Sequence, residues 1–135
     1  MKAKVIATIG GFIAIFLANG IAYGAIFADK VAEVLQRLPE GMTQESLPMI
    51  MVGHFIQTLL LVGLLSRMNI KTAVEGLKAS ALIHLGIFGM YNTFMLGAFT
   101  FLNPTEMYID VVINMVTGGI GGAAIAALLG KFGDE

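Results

Sequence analysis

Apolar residues in this chain gather into four runs free of Asp, Glu, Lys and Arg: Val5–Ala28, Leu47–Ser66, Ala79–Leu102 and Val111–Gly130. Each holds about 20 residues or more, the length a helix rising about 1.5 Å per residue needs to cross a hydrocarbon core of about 30 Å. The pattern predicts an all-α polytopic membrane protein whose four transmembrane helices form an up-down-up-down bundle. With loops included, the four spans fill residues 1–135 as a single domain. The expected helices cover 5–28 with an extension to 38, then 47–66, 73–102 and 104–130.

The polar connections sharpen these boundaries. Val31, Val34, Leu35 and Leu38 recur at helical spacing, with Glu33 and Arg37 placed as an i,i+4 pair on the other side. No Pro or Gly interrupts Ala25–Leu38, so the first helix is expected to run on past the bilayer or bend onto its surface as an amphipathic cover. Pro39 and Gly41 then end it. Ser46 is placed to cap the second span, with Pro48 tolerated in its first turn. Thr72-Ala73-Val74-Glu75 fits a capping box, which starts the third helix near Ala73. Asn103-Pro104-Thr105-Glu106 supplies a cap, a proline at the first helical position and an acid in the first turn. This tight link makes the third and fourth spans an antiparallel hairpin.

Composition agrees with the pattern. Mean hydropathy is +0.85, and 57% of residues are hydrophobic against 13% charged, too few charges to cover the surface of a soluble domain. The net charge of −1 gives no reason to expect nucleic acid as a partner. The absence of cysteine excludes disulfides, thiol catalysis and thiolate metal sites. Lys2 and Lys4 ahead of an apolar stretch resemble a signal peptide, but that stretch is too long for an h-region, so a retained first helix is expected.

Basic residues set the expected orientation. Lys2, Lys4, Arg67, Lys71, Lys78 and Lys131 fall at the N-terminus, the second loop and the C-terminal end, against only Lys30 and Arg37 in the first loop and none in the third. This bias puts both termini on the cytoplasmic side of the cell membrane, the inner membrane in a bacterium.

Chemistry within the spans is limited to a few polar side chains. Asn19 and Tyr23 lie in the first, His54, Gln57 and Thr58 in the second, Ser80, His84, Tyr91 and Asn92 in the third, and Asp110, Asn114 and Thr117 in the fourth if that helix starts near Met107. Most recur three, four, seven or eight apart, one stripe per helix. Counting inward at about 1.5 Å per residue, Tyr23, His54 and Asp110 fall about 5–10 Å below the outer surface. Asn19, Gln57, Asn92 and Asn114 fall about 10–15 Å below it, and only Ser80 and His84 belong to the inner half. The seven outer residues are expected to form one polar cluster around Asp110, with His54 and Tyr23 nearest to it. A carboxylate in the bilayer is costly, and no Lys or Arg lies within a span to neutralise it. Asp110 must therefore be protonated, reach the interface, pair with His54 or hold a cation. The bland alternative is that the amides merely fix helix register, since interhelical hydrogen bonds in membranes average about 0.6 kcal/mol.

Other chemistries find less support. The two histidines sit at different depths, whereas axial ligands of one haem must face each other at one depth. His54 with Asp110 lacks a third strong metal ligand, and neither histidine has a serine or cysteine nucleophile beside it in the expected bundle. No cofactor, metal or catalytic set is expected, and an enzyme is the weakest class.

Small residues mark the close-packing faces. Gly118, Gly122, Ala126 and Gly130 stand four apart in the fourth span, and Gly20 and Gly24 in the first. In lipid such stripes let backbones approach. Packing inside one bundle is the first expectation for the fourth span, and a homo-oligomer, a dimer by preference, is expected through at least one of the stripes.

Phe16-Leu17-Ala18-Asn19-Gly20-Ile21-Ala22-Tyr23-Gly24-Ala25-Ile26-Phe27 ends in Gly-x-x-Tyr-Gly-x-x-Phe, and Tyr108-Ile109-Asp110-Val111-Val112-Ile113-Asn114 opens a glycine-rich helix. These segments resemble a family of small four-helix bacterial membrane proteins catalogued as a domain of unknown function, whose pattern has aromatic residues at the positions of Ala22 and Asn114. The resemblance implies the four-span topology and draws attention to Tyr23 and Asp110; it implies no activity. Two function classes remain. One is a transport or sensing protein whose outer cluster binds or passes a proton, cation or small polar molecule. The other is a structural or accessory subunit acting through helix–helix association.

Overall fold

The first apolar run folds as α1 (Lys2–Ile21), followed by a π-helical turn (Ala22–Ile26) and a separate helix α2 (Ala28–Arg37). The remaining runs give α3 (Leu47–Arg67), α4 (Ala73–Ala98) and α5 (Pro104–Phe132). This computed structural model describes residues 1–38 and 46–133, and no strand occurs among them. Four segments are long and apolar enough to cross a membrane: Lys2–Ile26, Leu47–Arg67, Ala73–Ala98 and Pro104–Phe132.

Local chemistry explains most boundaries. Thr72 Oγ1 accepts the Glu75 amide at 3.3 Å and donates to the Glu75 carboxylate at 2.8 Å, opening α4. Asn103 Oδ1 accepts the Thr105 and Glu106 amides at 2.9 and 3.4 Å, opening α5 with Pro104 at its first position. Ser46 occupies the N-cap of α3, but its side chain makes no capping bond. α3 ends in a glycine-type cap built on asparagine. Asn69 takes a left-handed φ of 54°, its amide bonds to Ser66 O, and the Ile70 amide returns to Leu65 O at 3.0 Å. This is the Schellman pattern, with Ile70 packing back on the core. α4 stops at Ala98, short of the expected 102, because Phe99 turns to an extended conformation. Gly97 and the β-branched Thr100 offer little resistance to that exit.

The first helix departs most from expectation. It does not continue to residue 38: the Phe27 amide bonds to Ala22 O, one residue wider than an α-turn, and Phe27 itself leaves helical geometry before α2 begins. Ala22, Gly24 and Ala25 bring no bulky side chain to resist the wider turn, and the Tyr23 hydroxyl in its middle is bonded to α5. Leu38 is extended, as suits a residue before proline; Pro39 and Gly41 lie outside the described residues. α2 is tied to the start of α5 by Arg37, which pairs with Glu106 at 2.8 Å. On α2 itself, Glu33 meets Lys30 at 2.7 Å and Arg37 at 3.5 Å.

The Lys30 ammonium, bonded to Glu33, holds that carboxyl below its ordinary value, with Arg37 adding a smaller pull. A depressed carboxylate contributes stability that is present above its unfolded pKa and lost as pH falls through the folded one. Acidification through and below the ordinary carboxylate range should therefore loosen α2, seen as lower amide-exchange protection factors at residues 30–37. Glu33→Gln should remove that acid-dependent step.

α5 is the spine of the bundle. It buries eleven residues, whereas α1, α3 and α4 bury four each. It runs along α4 and α1, and α3 rests mainly on α1 and α5. Along α4 the inward residues are Gly76, Ser80, His84 and Asn92, spaced at multiples of four. Gly76 faces Gly122 and Ala126, Ser80 faces Gly122, and His84 lies on Gly118. On the other side, Gly11 faces Ile125, Ile15 faces Gly121, and Asn19 meets Thr117. One half is closed by an apolar core that includes Ala7, Ile15, Leu61, Leu65, Ile125 and Leu129. The polar side chains collect toward the other end, nearest α2.

The glycine stripe of the fourth span is thus spent inside the chain. A Cβ at Gly122 would fall on Ser80 Oγ and the Gly76 carbonyl, and one at Gly118 on the His84 ring. Ala126 meets Gly76. Gly118, Gly122 and Ala126 therefore bind α4 rather than offering a face to a second chain. Gly20 and Gly24 have nothing within 4 Å of an added Cβ.

Candidate functional site

Asp110 sits one and a half turns into α5, half-buried, where the π-helical turn, α4 and α5 converge. Its Oδ1 accepts a hydrogen bond from the Tyr23 hydroxyl. Its Oδ2 accepts one from Asn92 Nδ2 at 2.9 Å, and the same amide nitrogen reaches Met107 O at 2.8 Å. Asn114, one turn along, donates to the Tyr23 hydroxyl at 2.9 Å and to Asp110 O at 2.9 Å. Helical phase supplies this convergence. Asp110 and Asn114 are i,i+4 on α5, and Asn92 continues the inward face that carries Ser80 and His84. The π turn presents Tyr23 to both α5 residues.

Neutral groups make every bond to the Asp110 side chain. The nearest bases, Lys30 and Arg37, belong to α2 and are engaged by Glu33 and Glu106. Dipoles from a hydroxyl and an amide stabilise the carboxylate, but no Lys or Arg hydrogen-bonds to it.

The polar set continues inward as a second group. Thr117 Oγ1 reaches Asn19 Oδ1 at 3.3 Å, and Asn19 Nδ2 bonds its own helix at Ile15 O. Deeper still, Gln57 Nε2 meets His84 Nε2. His84 Nδ1 lies 2.7 Å from Ser80 O, a pure acceptor, so Nδ1 carries the proton and Nε2 accepts from Gln57. Phe88 stacks on the His84 ring at 5.8 Å. Ser80 Oγ is buried with no hydrogen-bond partner.

Of the seven residues expected in one cluster, the fold joins Asp110, Tyr23, Asn92 and Asn114 directly and Asn19 through Thr117. His54 and Gln57 are not bonded to it. His54 donates Nδ1 to Ile50 O at 2.8 Å and stands edge-on to Phe16 at 5.8 Å; it lines the same cleft as Asp110. Gln57 points instead to His84, whose side chain depth-counting had assigned to the other half. The combined reach of the two side chains closes a gap that a count of Cα positions leaves open. Thr117, which belongs to the α5 stripe, proves to be the link to α1. No group of three or more His, Cys, Asp or Glu side chains gathers among the described residues.

Two cavities flank the cluster. A cleft of about 780 Å³ lies between α1, α3, α4 and α5, with Asn19, Tyr23, His54, Gln57, His84, Asp110 and Asn114 among its lining. α3 and α4 scarcely meet, so their seam is where the cleft opens. A second cavity of about 480 Å³ lies under α2, between its apolar face and the start of α5. Tyr23 and Asp110 line both and form the partition between them.

Comparisons with known protein families, with curated proteins and with solved structures find no match to this chain. Fold and site together define a helical protein with four helices apolar enough to cross a membrane and a buried polar ladder leading to one carboxylate.

Proposed function

We propose that this is an integral membrane protein whose four apolar helices cross the bilayer up-down-up-down with both termini cytoplasmic, and whose cluster around Asp110 binds a proton, cation or small polar molecule. Lysine and arginine placement supports the orientation, and four helices long and apolar enough to span support the topology. The observation that carries the site reading is the coordination of Asp110: both carboxylate oxygens are held by neutral donors from the π turn and α4, and no basic side chain hydrogen-bonds to them. A carboxylate inside a span without a basic partner is the condition that favours uptake of a positive species. The apolar core around Ile15, Leu65 and Ile125 closes the opposite half. Access from the α2 side fits this reading, and an open pore through one chain does not.

Infrared difference spectroscopy of the protein in lipid tests the site. One carboxyl band that appears on acidification and vanishes in Asp110→Asn is expected; an unchanged spectrum in that variant would sink the reading. For the topology, Met68→Cys should label only from the cytoplasmic side and Thr100→Cys only from the outside. The reverse pattern would invert the orientation.

Association with a second copy is the other reading, and one observation favours it: Gly20 and Gly24, the small-residue stripe of the first span, leave open space beside the backbone. Such a surface lets another helix approach closely. A dimer in native mass spectra that Gly20→Leu dissociates would support it, and monomer throughout would remove it.

A further inference from the structure

α3 and α4 touch at few points, and the cleft that both line is of the size that holds small organic ligands, about 300–1,000 Å³. Its walls are apolar and aromatic, with Phe16, Ile50, Leu60, Ile83, Ile87 and Phe88 prominent. Among the described residues that line it there is one acid, Asp110, and no Lys or Arg. The remaining polar atoms lean the same way. Asn114 and Gln57 spend their amide nitrogens on Tyr23, Asp110 O and His84, which leaves their carbonyl oxygens as acceptors. His54 spends Nδ1 on Ile50 O, leaving Nε2 as another. The cleft therefore offers negative charge, acceptor atoms and ring faces within hydrocarbon walls.

We infer that this cleft binds a lipophilic organic cation, its charge beside Asp110 and Tyr23 and its apolar body along Phe16, Ile83 and Phe88, admitted sideways between α3 and α4. The inference rests on the membrane reading and the Asp110 site above and names the ligand class for that site. An inorganic cation needs six or more close oxygen ligands when stripped of water, or keeps its own waters, and gains nothing from an apolar space this large. An anion would meet Asp110 with no base to offset it. A neutral lipid would fill the walls but leave the carboxylate without a counter-charge. An organic cation satisfies all three features: dispersion with the walls, attraction to aromatic faces, and neutralisation of the one acid.

Tetraphenylphosphonium and tetraphenylborate share shape and differ in sign, so they separate charge from hydrophobicity. The full chain in lipid nanodiscs should bind radiolabelled tetraphenylphosphonium saturably and tetraphenylborate at least tenfold more weakly. Asp110→Asn, which keeps the shape of the side chain, should weaken cation binding at least tenfold. Gly53→Trp keeps the carboxylate and fills the cleft: Gly53 lines it and an added Cβ meets nothing within 4 Å. It should weaken binding to the same degree. Equal binding of the two ions, or wild-type binding by either variant, overturns the inference. Absence of saturable binding while the Asp110 carboxyl band still titrates also overturns it and leaves the site reading standing. Loss of both brings down the two together.

Discussion

Gly122→Leu is expected to abolish the folded bundle. α4 and α5 approach so closely at this level that a single added carbon would land on Ser80 Oγ and on the Gly76 carbonyl oxygen. The carbonyl belongs to a rigid helix and cannot rotate aside, and Ser80 is fully buried. Overpacking a tight core ordinarily costs about 1–3 kcal/mol; with backbone on the far side of the contact, about 3 kcal/mol or more is expected. Separating the helices would also pull Asn92 from Asp110. Unfolding in graded detergent, followed by helical signal and size exclusion, should show Gly122→Leu already disordered where the wild type is intact. Gly86→Leu, at an open position of the same bundle, should stay close to wild type. A Gly122→Leu protein as stable as the wild type would mean that α4 and α5 pack elsewhere.

Leu82→Arg is expected to block membrane insertion of α4. Leu82 is 70% exposed on the outer surface of the bundle and lies two residues from His84, which rests on Gly118 near the middle of α5. If lipid covers that surface, an arginine there costs about 2.5–3.5 kcal/mol on insertion scales. If water covers it, the change is nearly neutral and improves solubility. Comparing membrane-integrated and lumenal fractions of α4 in an insertion assay decides between them. The same contrast applies to Phe94, 69% exposed, and to the other apolar side chains that ring α3 and α4. A water-soluble fold would not leave so much large apolar surface uncovered.

The spans were legible because hydrophobic length is a one-dimensional property, and Thr72 and Asn103 announced their caps through side-chain chemistry that acts within three residues. Asp110 and its partners were legible too, because i,i+4 spacing fixes a face without knowledge of the neighbours. Three features were not. The π turn at Ala22–Ile26 inserts one residue into a helix without Pro, and nothing local distinguishes it from an α-turn; the bond between Tyr23 and Asp110 is a contact 87 residues apart in sequence. Asn69 performs a task usually given to glycine, and an isolated asparagine after a helix has other readings. Gln57 and His84 were separated by counting depth along backbones, whereas long side chains close such gaps. The partner of a glycine stripe is likewise invisible from one helix: Gly118, Gly122 and Ala126 show that something comes close, and only the fold shows that it is α4.

The link between Tyr23 and Asp110 joins the π turn at the end of α1 to α5, 87 residues further along the chain. A growing chain presents Tyr23 long before α5 exists, so its hydroxyl meets neither Asp110 nor Asn114 until α3 and α4 have been made. Arg37 and Glu106, 69 residues apart, wait in the same way. Such distant closures are the slow ones in folding, so the carboxylate cluster forms late, along with the other contacts that join α1 to α5. Any chain released before α5 would carry a bundle without its centre. Assembly of the site therefore waits for α5, however early Tyr23 is made.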